Sequence, residues 1–401
     1  MNSIVLSVHG IVHFLSCLFF LLLFPGFYIY HQSVASGLVP AFLGGWFSPV
    51  CIAAILFLIP FWKYWFFIIK KSPFYSFLIL LFFFWSGFVA LISYALDSSL
   101  SMQLALNQYM VTLLQLVALT LIGAGLSLEI KWFRCSLWVF GFFIFSTLLY
   151  HVFITGSFRY YAAILYDVDG VASYQGFARS AFLIALILLS ISRSFKTQAL
   201  VAILAAFVLF VLSARSEFVA LLASIGVYYL LTSGRYRGNA LSLVLVVASL
   251  VLVVIRFGDM LLDSRHVNLL NLDSDSSWQV RGRLGAESLG RISESPFFGG
   301  FGGHFESGGA GSYAHSVLSV WDSFGLLGFL TFAALILVPF LKSWFFLVMK
   351  SKRCDALIML ALLSFSVLLL TLFAKSVFWP IPALLWGVYL NSRAFNNDKN
   401  L

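Results

Sequence analysis

At 401 residues, with 62% hydrophobic and only 10% charged residues and a mean hydropathy of +1.01, the chain is far from soluble composition, where about a quarter of residues are charged. A soluble globular domain is excluded. The 24 Lys and Arg behind the net charge of +9 are scattered between apolar runs, not gathered on one polar face, which excludes a nucleic-acid-binding surface.

Apolar runs recur near residues 4–30, 41–69, 74–96, 104–126, 132–154, 177–192, 197–213, 216–232, 239–257, 316–348, 355–373 and 376–392. A spanning helix takes roughly 20 apolar residues, and β-barrel alternation is absent. The expected fold is therefore an all-α polytopic membrane protein of about twelve transmembrane helices in a single domain, residues 1–401. The first run has no basic flank before it and no small-residue cleavage site after it, so it reads as a retained span and not a signal peptide. Short breaks at Asp97-Ser98-Ser99, Ala214-Arg215-Ser216 and Ala374-Lys375 predict antiparallel hairpins. No internal repeat is evident.

Basic residues of short loops set the orientation. Lys70 and Lys71, Lys131 and Arg134, Arg193 and Lys196, Arg235 and Arg237, Lys350, Lys352 and Arg353, and finally Arg393 and Lys399 fall on alternate loops. Those loops read as cytoplasmic, with both termini inside. Cys17, Cys51, Cys135 and Cys354 lie in spans or in these loops without a CxxC pair, so neither a disulfide framework nor a cysteine metal site is indicated. The opposite side carries a smaller loop, 155–176, and a large one, 258–315, which is the only long polar stretch. A loop that long between compact spans is usually functional. Within it, 281–295 predicts a short amphipathic helix with Leu284, Leu289 and Ile292 apolar, followed by a Gly-rich turn from Gly299 to Gly311.

Three features on that side suit chemistry on an anionic, membrane-borne substrate. Arg215 stands at the boundary of two apolar runs, where its planar fork can grip a phosphate; a loop arginine paired with Glu217 is the competing reading. Arg281, Arg283 and Arg291 put three permanent charges within eleven positions among glycines that allow close backbone approach. Salt bridges on a solvated helix compete here, Arg283 and Glu287 being four apart. His315, at the entrance of the run 316–348, can accept a proton near neutral pH, although a lone interfacial histidine also serves as a solvated cap. The pairs Asp167/Asp169 and Asp273/Asp275 are weak candidates for a divalent cation, and no metal is assigned to them.

The order of these features resembles the bacterial O-antigen polymerase and O-antigen ligase superfamily. The residues that carry the resemblance are Arg215 opening a span; an arginine, Arg281 or Arg283, some fifteen residues before Ser295-Pro296-Phe297-Phe298-Gly299; and His315 followed by Gly325-Leu326-Leu327-Gly328. It covers about residues 210–330. The family's usual asparagine after the histidine is Ser316 here, and the aromatic often found four after the loop arginine is Gly285. The resemblance implies a metal-independent, cofactor-free inverting glycosyltransferase of the bacterial inner membrane with its site facing the periplasm. It would use undecaprenyl-diphosphate-linked oligosaccharide as donor within the membrane lipid, with a chain-length regulator as a further partner. By the same resemblance Arg215 with Arg281 or Arg283 would bind the diphosphate, and His315 would act as general base. The shortish loop favours the polymerase, which extends one lipid-linked repeat unit from another; the ligase, which transfers the glycan to lipid A core, and a lipid-linked saccharide flippase are the alternatives.

Overall fold

The computed structural model describes residues 7–40, 45–160, 174–232, 276–309, 311–349 and 354–392. Among them every regular element is helical. The helices are α1 (Val8–Leu23), α2 (Pro25–Ala35), α3 (Phe47–Leu58), α4 (Trp62–Lys71), α5 (Pro73–Leu96), α6 (Leu100–Gly125), α7 (Lys131–Thr155), α8 (Tyr174–Ile191), α9 (Phe195–Val211) and α10 (Arg215–Thr232). They continue with α11 (Ser276–Glu294), α12 (Gly303–Gly308), α13 (Leu318–Val348), α14 (Asp355–Phe373) and α15 (Ile381–Asn391).

Six of these segments are long and apolar enough to cross a membrane, with α1 and α2 counted together, or seven if α3 and α4 form one span bent by 91°. Apolarity alone overestimates continuous helix. Pro60 ends α3, since it lacks the N–H that would continue the helical ladder. The last run is helical only from Ile381, after the non-helical stretch 374–380. The helices 175–191, 195–211 and 381–391 are shorter, α10 opens on two charged residues, and the run 239–257 lies outside the described residues. The outward faces are nevertheless continuous and apolar. Phe74, Phe77, Leu80, Phe84, Phe88 and Leu91 make an exposed stripe along α5, and Val139, Phe142, Phe143 and Phe153 are exposed on α7. Apolar surface on this scale calls for lipid and not water.

Packing inside the bundle relies on close backbone approach and on side chains that satisfy freed carbonyls. Helices α6 and α15 touch backbone to backbone: a Cβ added at Gly387 would sit 2.2 Å from the Thr120 carbonyl oxygen, and one at Gly123 2.5 Å from that of Leu384. The carbonyls at the end of α6 are met by the Tyr64 hydroxyl (Ala124, 2.9 Å), the His13 ring (Gly125, 2.7 Å) and the Asn391 amide (Leu126, 3.1 Å). Pro339 inside α13 has no N–H for the Leu335 carbonyl, and the Tyr75 hydroxyl donates to that oxygen at 2.6 Å. Serine pairs join α14 to its neighbours, Ser224 with Ser366 at 2.7 Å and Ser343 with Ser364 at 3.2 Å. At the start of α7, Arg134 pairs with Asp355 at the start of α14 at 2.6 Å.

Candidate functional site

Helix α11 docks on α13 along one face. Leu284, Ser288 and Ile292 are buried at a spacing of four, and Arg281, three residues before Leu284, continues that face. The helix begins at Ser276, earlier than the sequence pattern indicates, and Leu289 is 53% exposed, so Ser288 and not Leu289 belongs to the inner stripe. Arg283 stands about 200° around from Arg281 at 3.6 residues per turn. Its side chain is 70% exposed and lies 3.6 Å from Glu287, as the salt-bridge reading expects.

The end of α11 is clamped. Arg291 grips Asp322 of α13 twice, Nε to Oδ1 at 2.9 Å and Nη2 to Oδ2 at 2.6 Å, and the Asp322 side chain is only 5% exposed. Helix α13 breaks at Gly325 (φ 68°, ψ −171°), and the turn Ser295–Gly300 fits into the break. The Leu326 N–H donates to the Pro296 carbonyl at 3.0 Å, the Trp321 indole donates to the same oxygen at 2.8 Å, and the Gly300 N–H donates to the Asp322 carbonyl at 2.6 Å. Trp85 of α5 donates to the Phe324 carbonyl at 2.7 Å. The two glycine motifs read from the sequence are thus the two halves of one joint. By contrast Gly282, Gly285 and Gly290 on α11 face open space, so the close approach expected among the loop arginines falls instead at Gly299 and Gly325.

This joint presents Arg281 to a cavity of about 240 Å³. Arg215 and Glu217 line it from the start of α10, Tyr313 and His315 from the segment before α13, Arg179 and Gln175 from α8, and Lys375 and Trp379 from the segment after α14. Arg215, Arg281 and His315, picked from three separate stretches of sequence, therefore share one cavity, and Arg283 is not among its lining residues. The lining holds four cationic side chains, Arg179, Arg215, Arg281 and Lys375, against one carboxylate, Glu217. That carboxylate is engaged: Lys375 Nζ lies 2.6 Å from Oε1, and the Ser216 hydroxyl donates to Oε2 at 2.7 Å. Such a lining suits an anion. Its volume is below the roughly 300–1,000 Å³ of drug-sized pockets, room for a small charged group and not for a whole oligosaccharide.

Burial, reinforced by Arg281 and Lys375, lowers the pKa of His315 to about 4, leaving the ring neutral and able to accept a proton. Tyr313 touches this ring edge-on at 5.4 Å, and on its other side packs on His304 of α12. His304 is buried, its Nε2 is 3.2 Å from Gln108 Oε1, and burial pushes its pKa to about 4 as well. Both histidines bind protons more weakly folded than at the ordinary value of about 6.5. Between pH 6.5 and 4 the unfolded chain therefore holds more protons, and stability falls as pH falls through that window. The melting temperature in detergent is expected to drop from pH 6.5 to 5, above the ordinary carboxylate range, and to drop less in His304→Gln. A wild-type melting temperature flat over that interval contradicts the buried neutral pair.

Sequence reasoning missed Arg179, Lys375 and His304. Arg179 carried a readable signal, being the lone charged residue between Asp169 and Arg193 in an otherwise apolar run. Asp167, Asp169, Asp273 and Asp275 lie outside the described residues, and no group of three or more His, Cys, Asp or Glu that could hold a metal occurs among the described ones. The described residues together define a helical bundle with the apolar helices of a multi-pass membrane protein, built around a cation-lined cavity. The chain matches no protein-family model, and no curated protein is significantly similar to it.

Proposed function

We propose that the chain is a polymerase of surface polysaccharide, transferring a growing undecaprenyl-diphosphate-linked glycan onto another lipid-linked repeat unit at the periplasmic face of the bacterial inner membrane. The observation that carries this reading is the convergence of Arg215, Arg281 and His315 on one cavity. His315 takes the proton of the acceptor sugar hydroxyl as that oxygen attacks the anomeric carbon of the donor. The bond from that carbon to the diphosphate breaks with inversion, and the lipid diphosphate leaves with the bonding pair. Arg215 and Arg281 are placed to take up the charge that grows on it, in a partly desolvated site where fixed cations act strongly.

The reading includes twelve crossings with both termini cytoplasmic. The alternation of basic loops supports it, as does the pairing of Arg134 with Asp355, which joins two loops assigned to the cytoplasmic side. From Asn391, bonded to the end of α6, the eleven residues of α15 rise only about 16 Å, half of a roughly 30 Å apolar slab. The non-helical stretch 374–380 then falls within the slab, where irregular backbone is tolerated if it lines a cavity, as this one does. The same depth favours one competing reading, a lipid-linked saccharide transporter, since transporters place charges and broken helices near the midplane.

The deciding experiment uses purified protein in nanodiscs with undecaprenyl-diphosphate-linked repeat units. Elongation lost in Arg281→Ala and retained in Arg283→Ala is expected. Consumption of donor only when lipid A core is supplied turns the assignment to a ligase. Absence of any glycosyl transfer, with translocation of lipid-linked sugar across vesicles, makes the protein a transporter.

A further inference from the structure

We propose that Arg179 and Ser213 form the inner end of the cavity's anion site and hold the phosphate group farthest from the reacting sugar. The inference rests on the reading that the cavity takes a diphosphate, and it assigns to that site two residues outside the motifs that suggested it.

Arg179 is placed with care for an arginine in an apolar helix. Gly176, one turn earlier on α8, brings the helix against Phe27 so closely that a Cβ there would lie 2.4 Å from the ring. The guanidinium then stacks with its carbon 4.0 Å from the centre of the Phe47 ring and 5.7 Å from that of Phe27. Stacking holds the plane of the group and leaves its N–H edge for in-plane acceptors. Gln175, four residues away and so on the same face, lines the cavity with it.

The hydrogen bonds that should accompany such burial are missing. Arg179 Nε is buried with no partner, and so is the hydroxyl of Ser213, which also lines the cavity. Ser213 is the one non-glycine residue with positive φ (55°) among the described residues, so the turn that delivers it is strained. Buried donors are nearly always paired, and a buried cation is costly unless compensated. The nearest carboxylate, Glu217, is already held by Lys375 and Ser216. Both residues line a cavity with a surplus of positive charge, and their unpaired donors, closed off just behind that wall, are complementary to phosphate oxygens, which only accept. Arg215 and Arg281 come from the external segments, while Arg179 comes from within the bundle. A diphosphate entering between them meets a cation at each of its phosphates, whereas a monophosphate has only one group to offer.

The test is direct binding to purified protein in detergent, using geranylgeranyl diphosphate, geranylgeranyl monophosphate, inorganic pyrophosphate and geranylgeraniol as probes. The wild type is expected to bind the lipid diphosphate at least tenfold more tightly than the monophosphate. Arg179→Gln should lose that preference, with affinity for the diphosphate reduced at least tenfold and the alcohol unaffected, and Ser213→Ala should lose a smaller part. Arg179→Lys keeps the charge without the fork and serves if the glutamine variant does not fold; it should still lose several-fold in diphosphate preference. Inorganic pyrophosphate binding as tightly as the lipid diphosphate identifies a free diphosphate as the ligand, and much weaker binding identifies the lipid headgroup. Undiminished preference in both Arg179 variants, with Arg281→Ala impaired, overturns this inference alone. Failure of the wild type to bind either diphosphate overturns the diphosphate reading beneath it.

Discussion

His315→Ala is expected to abolish the polymer ladder while leaving the protein folded and inserted, with the rate of elongation down by roughly 10²- to 10⁴-fold, the span of a lost general base. The ring lines the cavity beside Arg281 and Lys375, and burial, with a smaller contribution from those two charges, lowers its pKa to about 4. In the free protein it is thus ready to accept a proton but is a weak base. A bound diphosphate places negative charge against the same two cations, offsetting their repulsion of the imidazolium and moving the pKa back toward its ordinary value of about 6.5. The pH profile carries this as a signature. The acid limb of kcat/KM, which reports the free protein, should fall near pH 4, and that of kcat, which reports the complex, should lie higher. A full-length ladder from His315→Ala contradicts the assigned role, and coincident acid limbs contradict the coupling of anion to base.

The membrane class, the approximate positions of the helices and three residues of the cavity are all legible in the sequence, because each leaves a local mark. Apolar runs register as composition, and Arg215 and His315 register as polar residues at the ends of such runs. The choice between Arg281 and Arg283 was also available locally: Arg281 shares the face of Leu284, Ser288 and Ile292, and Arg283 does not. What the sequence hides is contact between distant segments. Nothing local couples Lys375 to Glu217, and the fit of Ser295–Gly300 into the break at Gly325 depends on two backbones meeting. Run length hides bends for a different reason. Hydropathy registers the solvent around a segment and not its straightness, so the run 41–69 gives no sign that it divides at Pro60 into two helices at 91°.

That hidden joint gives the largest structural effect. Gly325→Ala is expected to destabilise the protein by at least about 3 kcal/mol and to remove activity with it, two costs acting together. The backbone there, at φ 68° and ψ −171°, is one that L side chains rarely adopt. A Cβ would also lie 2.0 Å from the Phe297 carbonyl oxygen and 2.4 Å from its carbon, both main-chain atoms that cannot swing aside. Relief requires the Ser295–Gly300 turn to leave the break, surrendering the bonds of Leu326 and Trp321 to Pro296 and loosening the Arg291–Asp322 clamp that follows. Helix α11 then loses its seat on α13, and Arg281 loses its place in the cavity. Gly285→Ala is the counterpart on α11: the added methyl meets nothing within 4 Å, and alanine favours a helix by up to about 1 kcal/mol over glycine. The melting temperature in detergent and the protease sensitivity of the loop should therefore move in opposite directions for the two alanines. A Gly325→Ala protein as stable as the wild type means that the turn and the break are not the joint that holds Arg281 in place.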